Sequence, residues 1–237
     1  MGFIDQIQER ARAKAKHLVL PEGTEPRTVA AAAMILKDRI AKEVTLLGKP
    51  EAIKAVAAKE GVDLTGVHLV DPETSDKRKA YADRYYELRK AKGMTPEQAW
   101  TDINDQLRFG CMMLHIGDVD AMVAGAENTT GDVLKAAFTI VKTKPGIKYA
   151  SSCFVMGHPD PQWGENGYMI YSDCGTITEP TAEQLAAGIV EYEPNRALVL
   201  ISWLHHVSAN LEKSVHYRTH RWWLAQNIEN VLNTIKA

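Results

Sequence analysis

The sequence lacks the features that would assign it to several large classes of protein. It has 3 cysteines in 237 residues, too few and too widely spaced for a disulfide framework, which favours a reducing compartment. No run of 18 apolar residues occurs, so no helix is expected to span a membrane. The first 16 residues are charged and lack the apolar stretch of a secretory signal. These absences together predict a cytoplasmic protein.

The net charge of the chain is close to zero, which argues against strongly anionic partners. The formal net charge is -2, with 45% hydrophobic and 24% charged residues, close to the average for a soluble globular protein. A chain without a basic excess is not expected to bind nucleic acid or an anionic membrane. It is long enough for one large domain or two modest ones, with a sizeable core.

Several common catalytic motifs are missing. The chain contains no P-loop, no GxGxxG, no CxxC pair and no GxSxG, which argues against a P-loop nucleotidase, a dinucleotide-binding enzyme and a serine hydrolase. His216 and His220 are four residues apart and could share a metal ion on one helical turn. No further ligands accompany them, so we expect no metal site.

What the chain does contain is a regular alternation of short apolar runs and helical patterns. This order predicts an α/β fold built on a parallel sheet with right-handed crossovers. The segment TKPGIK, residues 143–148, is a candidate hinge between two domains. Strands are predicted at 17–20, 43–47, 67–70, 119–124, 148–156 and 168–173. Helices are predicted at 3–15, 27–38, 50–60 and 75–92. Three more helices are predicted to begin at Thr95, at Thr129 or Thr130, and at Pro180.

Two turns at the ends of strands are candidate anion sites. In VAGAENTTGDVLKAA, Thr129 or Thr130 can cap a helix whose free N–H groups and positive dipole end would attract a phosphate. Ordinary capping of a crossover helix is the alternative. In LPEGTEPRT, Arg27 follows a buried strand and could reach a phosphate at the carboxyl edge of the sheet, or form a salt bridge to Glu22 or Glu25.

Three further positions carry reactive or charged groups with less specific patterns. Arg89 lies in a basic helix, YYELRKAKG, where a solvated face is the usual explanation and one arginine reaching a cleft is the alternative. Ser151 and Ser152 offer two hydroxyls after the candidate hinge. Asp173 ends a predicted strand. Both active-site residues and ordinary turn residues are typical of that position in an α/β fold.

These segments, in this order, resemble the phosphate acetyl/butyryltransferase family. The resemblance runs almost continuously from Phe3 to about Ala187, and the TT-x-D-x-L helix start followed by a doubled serine and F-x-M is its most specific part. The matching stretches are LPEGTEPR, LLGKPEAI, VDPETS, YYELRKAKGMT, DAMVAGAENTTGDVLKAAFTIVKTKPGIKYASSCFVM and YSDCGTITEPTAEQLA.

The resemblance implies a fold and a reaction. The fold would be a three-layer α/β/α, two-domain architecture like that of isocitrate and isopropylmalate dehydrogenases, usually dimeric. In this chain the first domain, 1–146, would lack its C-terminal return, and the second domain, 147–237, would be incomplete. The reaction would be reversible acetyl transfer between acetyl phosphate and coenzyme A. Coenzyme A is a substrate here, and no metal or prosthetic group is expected. An inactive, truncated remnant and a phosphate butyryltransferase are the alternatives.

The resemblance also assigns roles to residues. Arg89 matches a family arginine at the active-site cleft and is the expected catalytic residue. Thr129 and Thr130 match the anion-binding helix start, and Lys135 stands where the family often has arginine. Lysine keeps the charge but loses the two-pronged hydrogen bonding of a guanidinium. The expected substrate-binding set is Thr129, Thr130, Lys135, Ser151, Ser152 and Arg27.

The resemblance ends in the last fifty residues. Residues 188–237 contain neither a counterpart of the family's LSFST-G-SA segment nor one of N-D-L-S-R-G, which carries an active-site serine and arginine. A nearby aspartate is the base proposed for the coenzyme A thiol in the family. This tail holds four of the 8 histidines and three of the 5 tryptophans, and it has no aspartate. We interpret it as the product of a frameshift or mis-assembled gene end, with a divergent paralogue as the alternative.

Overall fold

A computed structural model describes residues 3–143, 153–163 and 167–172. The chain divides into two compact units, Met1–Lys142 and Thr143–Ala237. The boundary lies at the start of the candidate hinge, whose residues 144–148 are outside the described ranges. Also outside them are the helix predicted from Pro180, Asp173, the histidine pair His216 and His220, and the whole tail 188–237.

The first unit is built on a four-stranded parallel sheet. The strand order is β3-β2-β1-β4, and every neighbouring pair is parallel, which confirms the predicted α/β class. The strands are β1 (His17–Leu20), β2 (Glu43–Leu47), β3 (His68–Val70) and β4 (Ala121–Met122).

Strand β4 is shorter than the predicted 119–124. Only two register pairs join it to β1, Leu18 with Ala121 and Val19 with Met122. Asp120 and Val123 on either side still donate to carbonyl oxygens of β1 at 3.0 and 3.2 Å, and from Gly125 onward the N–H groups bind a side chain instead. The prediction of a six-residue strand was therefore wrong in length and right in place.

Seven helices connect and cover these strands within residues 3–143. Local signals fix most of their ends: Thr95 and Gln98 form a reciprocal capping box, and Gly61 closes a helix in the left-handed conformation at φ 64°. The helices are α1 (Phe3–Lys14), α2 (Pro26–Lys37), α3 (Pro50–Glu60), α4 (Arg78–Arg89), α5 (Pro96–Asp102), α6 (Gln106–Ile116) and α7 (Thr130–Ile140), with a 3-10 turn at Lys90–Lys92.

Helix α6 has no counterpart in the sequence-based prediction. The helix that begins at Pro96 ends after seven residues, and Asp105 starts a new one by accepting the backbone N–H of Arg108 at 3.0 Å. Phe109 and Met112 of α6 are then fully buried. This second start places Arg108 in the first turn of α6, a helix that packs into the interior of the unit.

The sheet is buried on both faces. On one face Leu20, Val44 and Leu46 pack with residues of α2 and α3. On the other face Val19 and Leu47 pack with residues of α4, α6 and α7. Neighbouring strand residues thus enter opposite clusters, as the period of two in a strand requires.

The second unit is described only as a β-hairpin. Strands β5 (Cys153–Gly157) and β6 (Tyr168–Ser172) are antiparallel and pair from Cys153 with Ser172 to Gly157 with Tyr168. Strand β6 falls within the strand predicted at 168–173, and β5 overlaps the one predicted at 148–156 but extends one residue beyond it. Over the described ranges, no helix has the length and apolar character needed to cross a bilayer.

Candidate anion-binding cleft

The first unit contains a cleft of about 290 Å³. This volume is close to the lower limit of the volumes usual for small-ligand sites. Three segments line it: the end of α4, the junction of α5 with α6, and one face of α7 with the residue before its cap. The lining residues are Tyr85, Arg89 and Met94; Asp102, Asp105, Leu107 and Arg108; and Asn128, Asp132, Lys135, Ala136 and Thr139.

Helical spacing explains why α7 contributes so many side chains. Asp132, Lys135 and Thr139 follow one another at intervals of three and four residues, so they share one face of the helix. On the adjoining side of α7, Ala136 and Ile140 are buried and anchor the helix in the core. The cleft face is therefore set by the packing of the helix.

Arg89 enters the cleft at the point where α4 ends. Tyr85, one turn earlier on the same helix, lines the cleft beside it. The Nε atom of Arg89 is buried and has no hydrogen-bond partner among the described residues. A buried N–H of a guanidinium without a partner is costly, and a ligand anion would satisfy it.

Lys135 is similarly uncommitted. Over the described ranges, no hydrogen bond or ion pair of its ammonium group is present, and its side chain is exposed. Arg89 and Lys135, the two cations that the sequence analysis assigned to the site, are thus brought into one cleft with their charges available. This is the arrangement expected of groups that hold a phosphate.

Arg108 is a third cation in the cleft, and the sequence analysis did not identify it. Its guanidinium lies 3.2 Å from the carboxylate of Asp105. Burial acts to lower the pKa of Arg108, and attraction from Asp105 and Tyr85 outweighs it, so the pKa is raised and the charge is secure. The available signal was the Asp-x-x-Arg pattern of a helix start, which does not reveal where the arginine points.

The carboxylates of the cleft are largely engaged in capping. Asp105 caps α6. Asp132 accepts the hydroxyl hydrogen of Thr129 at 2.6 Å, while the Thr129 hydroxyl oxygen accepts the Asp132 backbone N–H. With Asp102, these two carboxylates balance the three lining cations in formal charge, and Arg89 and Lys135 are the two of these cations without an ion pair among the described residues.

The loop that precedes α7 is held by a glutamate from the turn after β1, the strand next to β4. Glu22, just after β1, is 2% exposed and accepts the backbone N–H groups of Gly125, Ala126, Glu127 and Asn128 at 2.8–3.1 Å. The side-chain amide of Asn128 donates a further hydrogen bond at 2.9 Å. Burial acts to raise the pKa of Glu22, but these hydrogen bonds outweigh it and lower the pKa from 4.5 to about 2.

The structure places the other predicted site residues away from the cleft lining or outside the described residues. Thr129 caps α7, which is the alternative the sequence analysis left open, and Thr130 is exposed in its first turn. The N–H groups bound to Glu22 are those of residues 125–128, which precede the helix start that was expected to attract a phosphate. Ser151 and Ser152 lie outside the described residues. Phosphate binding by these four residues remains a prediction.

Arg27 forms the salt bridge that was its alternative role. Its Nε donates to Glu25 at 2.6 Å, and its terminal nitrogen donates to the carbonyl oxygen of Ala126 at 2.6 Å. The hydrogen bond to Glu25 raises the pKa of Arg27. Arg27 therefore ties the turn after β1 to the loop before α7, and its contact with a phosphate remains a prediction.

The depressed pKa of Glu22 predicts how stability depends on pH. The carboxylate contributes its full stabilisation above the ordinary pKa of 4.5 and loses it as pH falls toward about 2, because protonation removes an acceptor of five N–H donors. By linkage the effect amounts to about 3 kcal/mol. Urea unfolding between pH 7 and pH 2 measures it. Glu22→Gln should flatten the acid part of this profile, and an unchanged slope in that variant would contradict the assignment.

Comparison with known proteins gives the family of the chain. Residues 2–193 match the family described as "Phosphate acetyl/butaryl transferase". The chain belongs to this family. The resemblance found in the sequence is thereby confirmed, and residues 194–237 lie outside the match.

Individual relatives give the same assignment. The chain is 49% identical over 187 residues to a phosphate acetyltransferase of Treponema pallidum, with 78% of this chain and 56% of the relative aligned. It is 45% identical to one of Thermoanaerobacterium thermosaccharolyticum, with 81% and 57% aligned. The chain thus spans little more than half the length of the curated relatives it matches.

Solved structures are similar as well. The EutD phosphotransacetylase from Staphylococcus aureus superposes with a TM-score of 0.71 at 29% identity, over 81% of this chain and 57% of that one. A phosphotransacetylase from Streptococcus pyogenes gives 0.71 at 30% identity, over 80% and 57%.

Proposed function

We propose that this chain carries the phosphate-binding part of a phosphate acetyltransferase, which transfers an acetyl group between acetyl phosphate and coenzyme A. The observation that supports this most strongly is the cleft in which Arg89, Arg108 and Lys135 converge, two of them without partners among the described residues. Membership in the family supplies the reaction class.

The cations match the charge that develops in this reaction. The sulfur of the coenzyme A thiolate attacks the acetyl carbon, the bond from that carbon to the bridging phosphate oxygen breaks, and inorganic phosphate leaves with the electron pair. Negative charge therefore grows on the phosphate as the bond breaks. Arg89, Arg108 and Lys135 are placed to stabilise it in both directions of the reaction.

The finer aspects of the fold and setting are part of the same proposal. We propose the three-layer, two-domain architecture of isocitrate and isopropylmalate dehydrogenases, with the domains at 1–146 and 147–237, a homodimer, and a cytoplasmic location. Coenzyme A acts as substrate, and no metal or prosthetic group takes part. The superposition on two phosphotransacetylases supports the architecture, and the net charge of -2 fits the absence of nucleic-acid and membrane partners.

A single assay tests the proposed function. Acetyl phosphate and coenzyme A are supplied to the full chain, thioester formation is followed by its absorbance, and acetyl phosphate binding is measured separately by calorimetry. We expect saturable binding of acetyl phosphate with very low thioester formation, because residues 188–237 contain no counterpart of the family segment that carries an active-site serine and arginine. Binding without any thioester formation would identify the chain as an inactive remnant that still binds its substrate. The absence of both binding and thioester formation would overturn the proposal.

A further inference from the structure

We propose that Glu22 is a positioning residue of the cleft: its buried carboxylate fills the backbone nest of residues 125–128 and thereby fixes Asn128 where it lines the cleft. The first half of this statement stands on geometry alone. The second half rests on the proposed function, because it assigns Asn128 to the phosphate.

The contacts are unusually dense for one side chain. The backbone N–H groups of four consecutive residues, 125–128, converge on the two carboxylate oxygens, and Glu22 Oε1 also accepts from Asn128 Nδ2. Gly125 permits the convergence, because its φ of 112° belongs to the region that favours glycine. The carbonyl oxygen of Ala126 is held at the same time by Arg27.

Such a ring of N–H groups is chemically an anion site. Successive backbone N–H groups that point to one spot bind phosphates and carboxylates in many proteins. In this chain the anion is its own glutamate, 2% exposed and about 100 residues away in sequence. A substrate phosphate therefore cannot use this nest, which serves to hold the loop.

Asn128 connects the loop to the cleft. One N–H of its side-chain amide donates to Glu22, and the Nδ2 atom carries a second N–H that remains for an acceptor on a ligand. The residue also lines the cleft next to the face of α7 that carries Lys135. Loss of the Glu22 carboxylate would release both the backbone of the loop and the orientation of this amide.

Glutamine cannot replace Glu22 without loss. Its amide nitrogen would face N–H donors, so at least one donor in the nest would lose its acceptor. Glu127 provides the matched control, because it lies in the same loop, is exposed, and contributes only its backbone N–H to the nest. Glu127→Gln removes a negative charge of equal size without touching the nest.

The test combines hydrogen exchange with binding of inorganic phosphate, measured by calorimetry at pH 7. In Glu22→Gln the amides of 125–128 should lose protection while those of β1 and β2 keep it, and the Kd for phosphate should rise about tenfold or more. Glu127→Gln should stay within about twofold of the original chain on both measures.

A second variant separates positioning from general stability. Asn128→Ala keeps the backbone N–H groups bound to Glu22, so it should weaken phosphate binding by about tenfold while the amides of 125–127 stay protected. Acetate should restore protection and phosphate affinity in Glu22→Ala by entering the vacated nest. Unchanged protection of 125–128 in Glu22→Gln would overturn the first half of the proposal.

The remaining outcomes bear on the second half. Unchanged phosphate affinity in Asn128→Ala would show that the loop does not position a ligand-binding group, and would overturn it. If the original chain binds no phosphate, the proposed function fails, and the hydrogen exchange of Glu22→Gln still decides the role of Glu22 in the nest.

Discussion

Replacement of Arg89 by glutamine should weaken the binding of inorganic phosphate and of acetyl phosphate, each by about 100-fold. The guanidinium of Arg89 lies in the cleft with a buried Nε that has no partner among the described residues. A charge-assisted hydrogen bond to the phosphate would use that atom, and its loss removes both the charge and the paired donors. Calorimetry with inorganic phosphate and with acetyl phosphate measures the two effects.

Two controls make this result specific. Arg89→Lys should recover part of the loss, because the charge returns and the two-pronged geometry does not. Arg84→Gln alters an exposed arginine of the same helix, outside the cleft lining, and should change either quantity by less than about twofold. An equal loss in Arg84→Gln, or none in Arg89→Gln, would show that the cleft does not hold the phosphate through Arg89.

Replacement of Gly23 by alanine should destabilise the chain by about 3 kcal/mol, one of the largest effects that a single added methyl group can have. Gly23 follows Glu22, and its N–H donates to the carbonyl oxygen of Leu47 at 3.1 Å. A Cβ atom at this position would overlap that same oxygen and would lie 3.0 Å from Ile53 Cδ1. Because both neighbours belong to the buried sheet and α3, neither can move cheaply.

Gly61 is the matched control for this prediction. It ends α3 at φ 64°, and a Cβ atom there would meet nothing within 4 Å. Gly61→Ala should therefore cost only the torsional strain of about 1 kcal/mol. Urea unfolding at pH 7 gives both values. A smaller loss for Gly23→Ala than for Gly61→Ala would contradict the close approach of the turn after β1 to β2.

The sequence-based prediction succeeded where structure is encoded locally. Strands β1 and β2 were predicted at their observed bounds, since each is a short apolar run ended by a turn signal. The starts of α3 and α5 followed from Pro50 and from the Thr95 cap with Pro96. These signals act over a few residues, so no knowledge of the tertiary structure was needed.

The prediction failed where one segment depends on another. Helix α6 was missed because its start rests on a single aspartate cap, Asp105, immediately after a shorter helix. Arg108 was missed for the same reason. Arg89 and Lys135 were identified by resemblance to the family, whereas their meeting in one cleft depends on the packing of α4, α6 and α7.

Glu22 shows the same limit most clearly. The sequence analysis considered it only as a partner for Arg27, since both lie in one turn. Its actual partners are backbone N–H groups more than a hundred residues away, and a backbone donor leaves no mark on the sequence. The free N–H groups at the start of α7 were expected to attract a phosphate, and nothing in the sequence indicates that the four residues 125–128 before that start bind the chain's own carboxylate.

The most direct test is to titrate inorganic phosphate into the full chain and to follow the side-chain Nε–H resonances of its arginines by NMR. If phosphate binds in the cleft, the signals of Arg89 and Arg108 should shift together along one saturable curve, and Arg89→Gln should abolish the shift of Arg108. Signals of Arg89 and Arg108 that stay unchanged, with or without a shift at Arg27, would contradict the assignment of the cleft as the phosphate site.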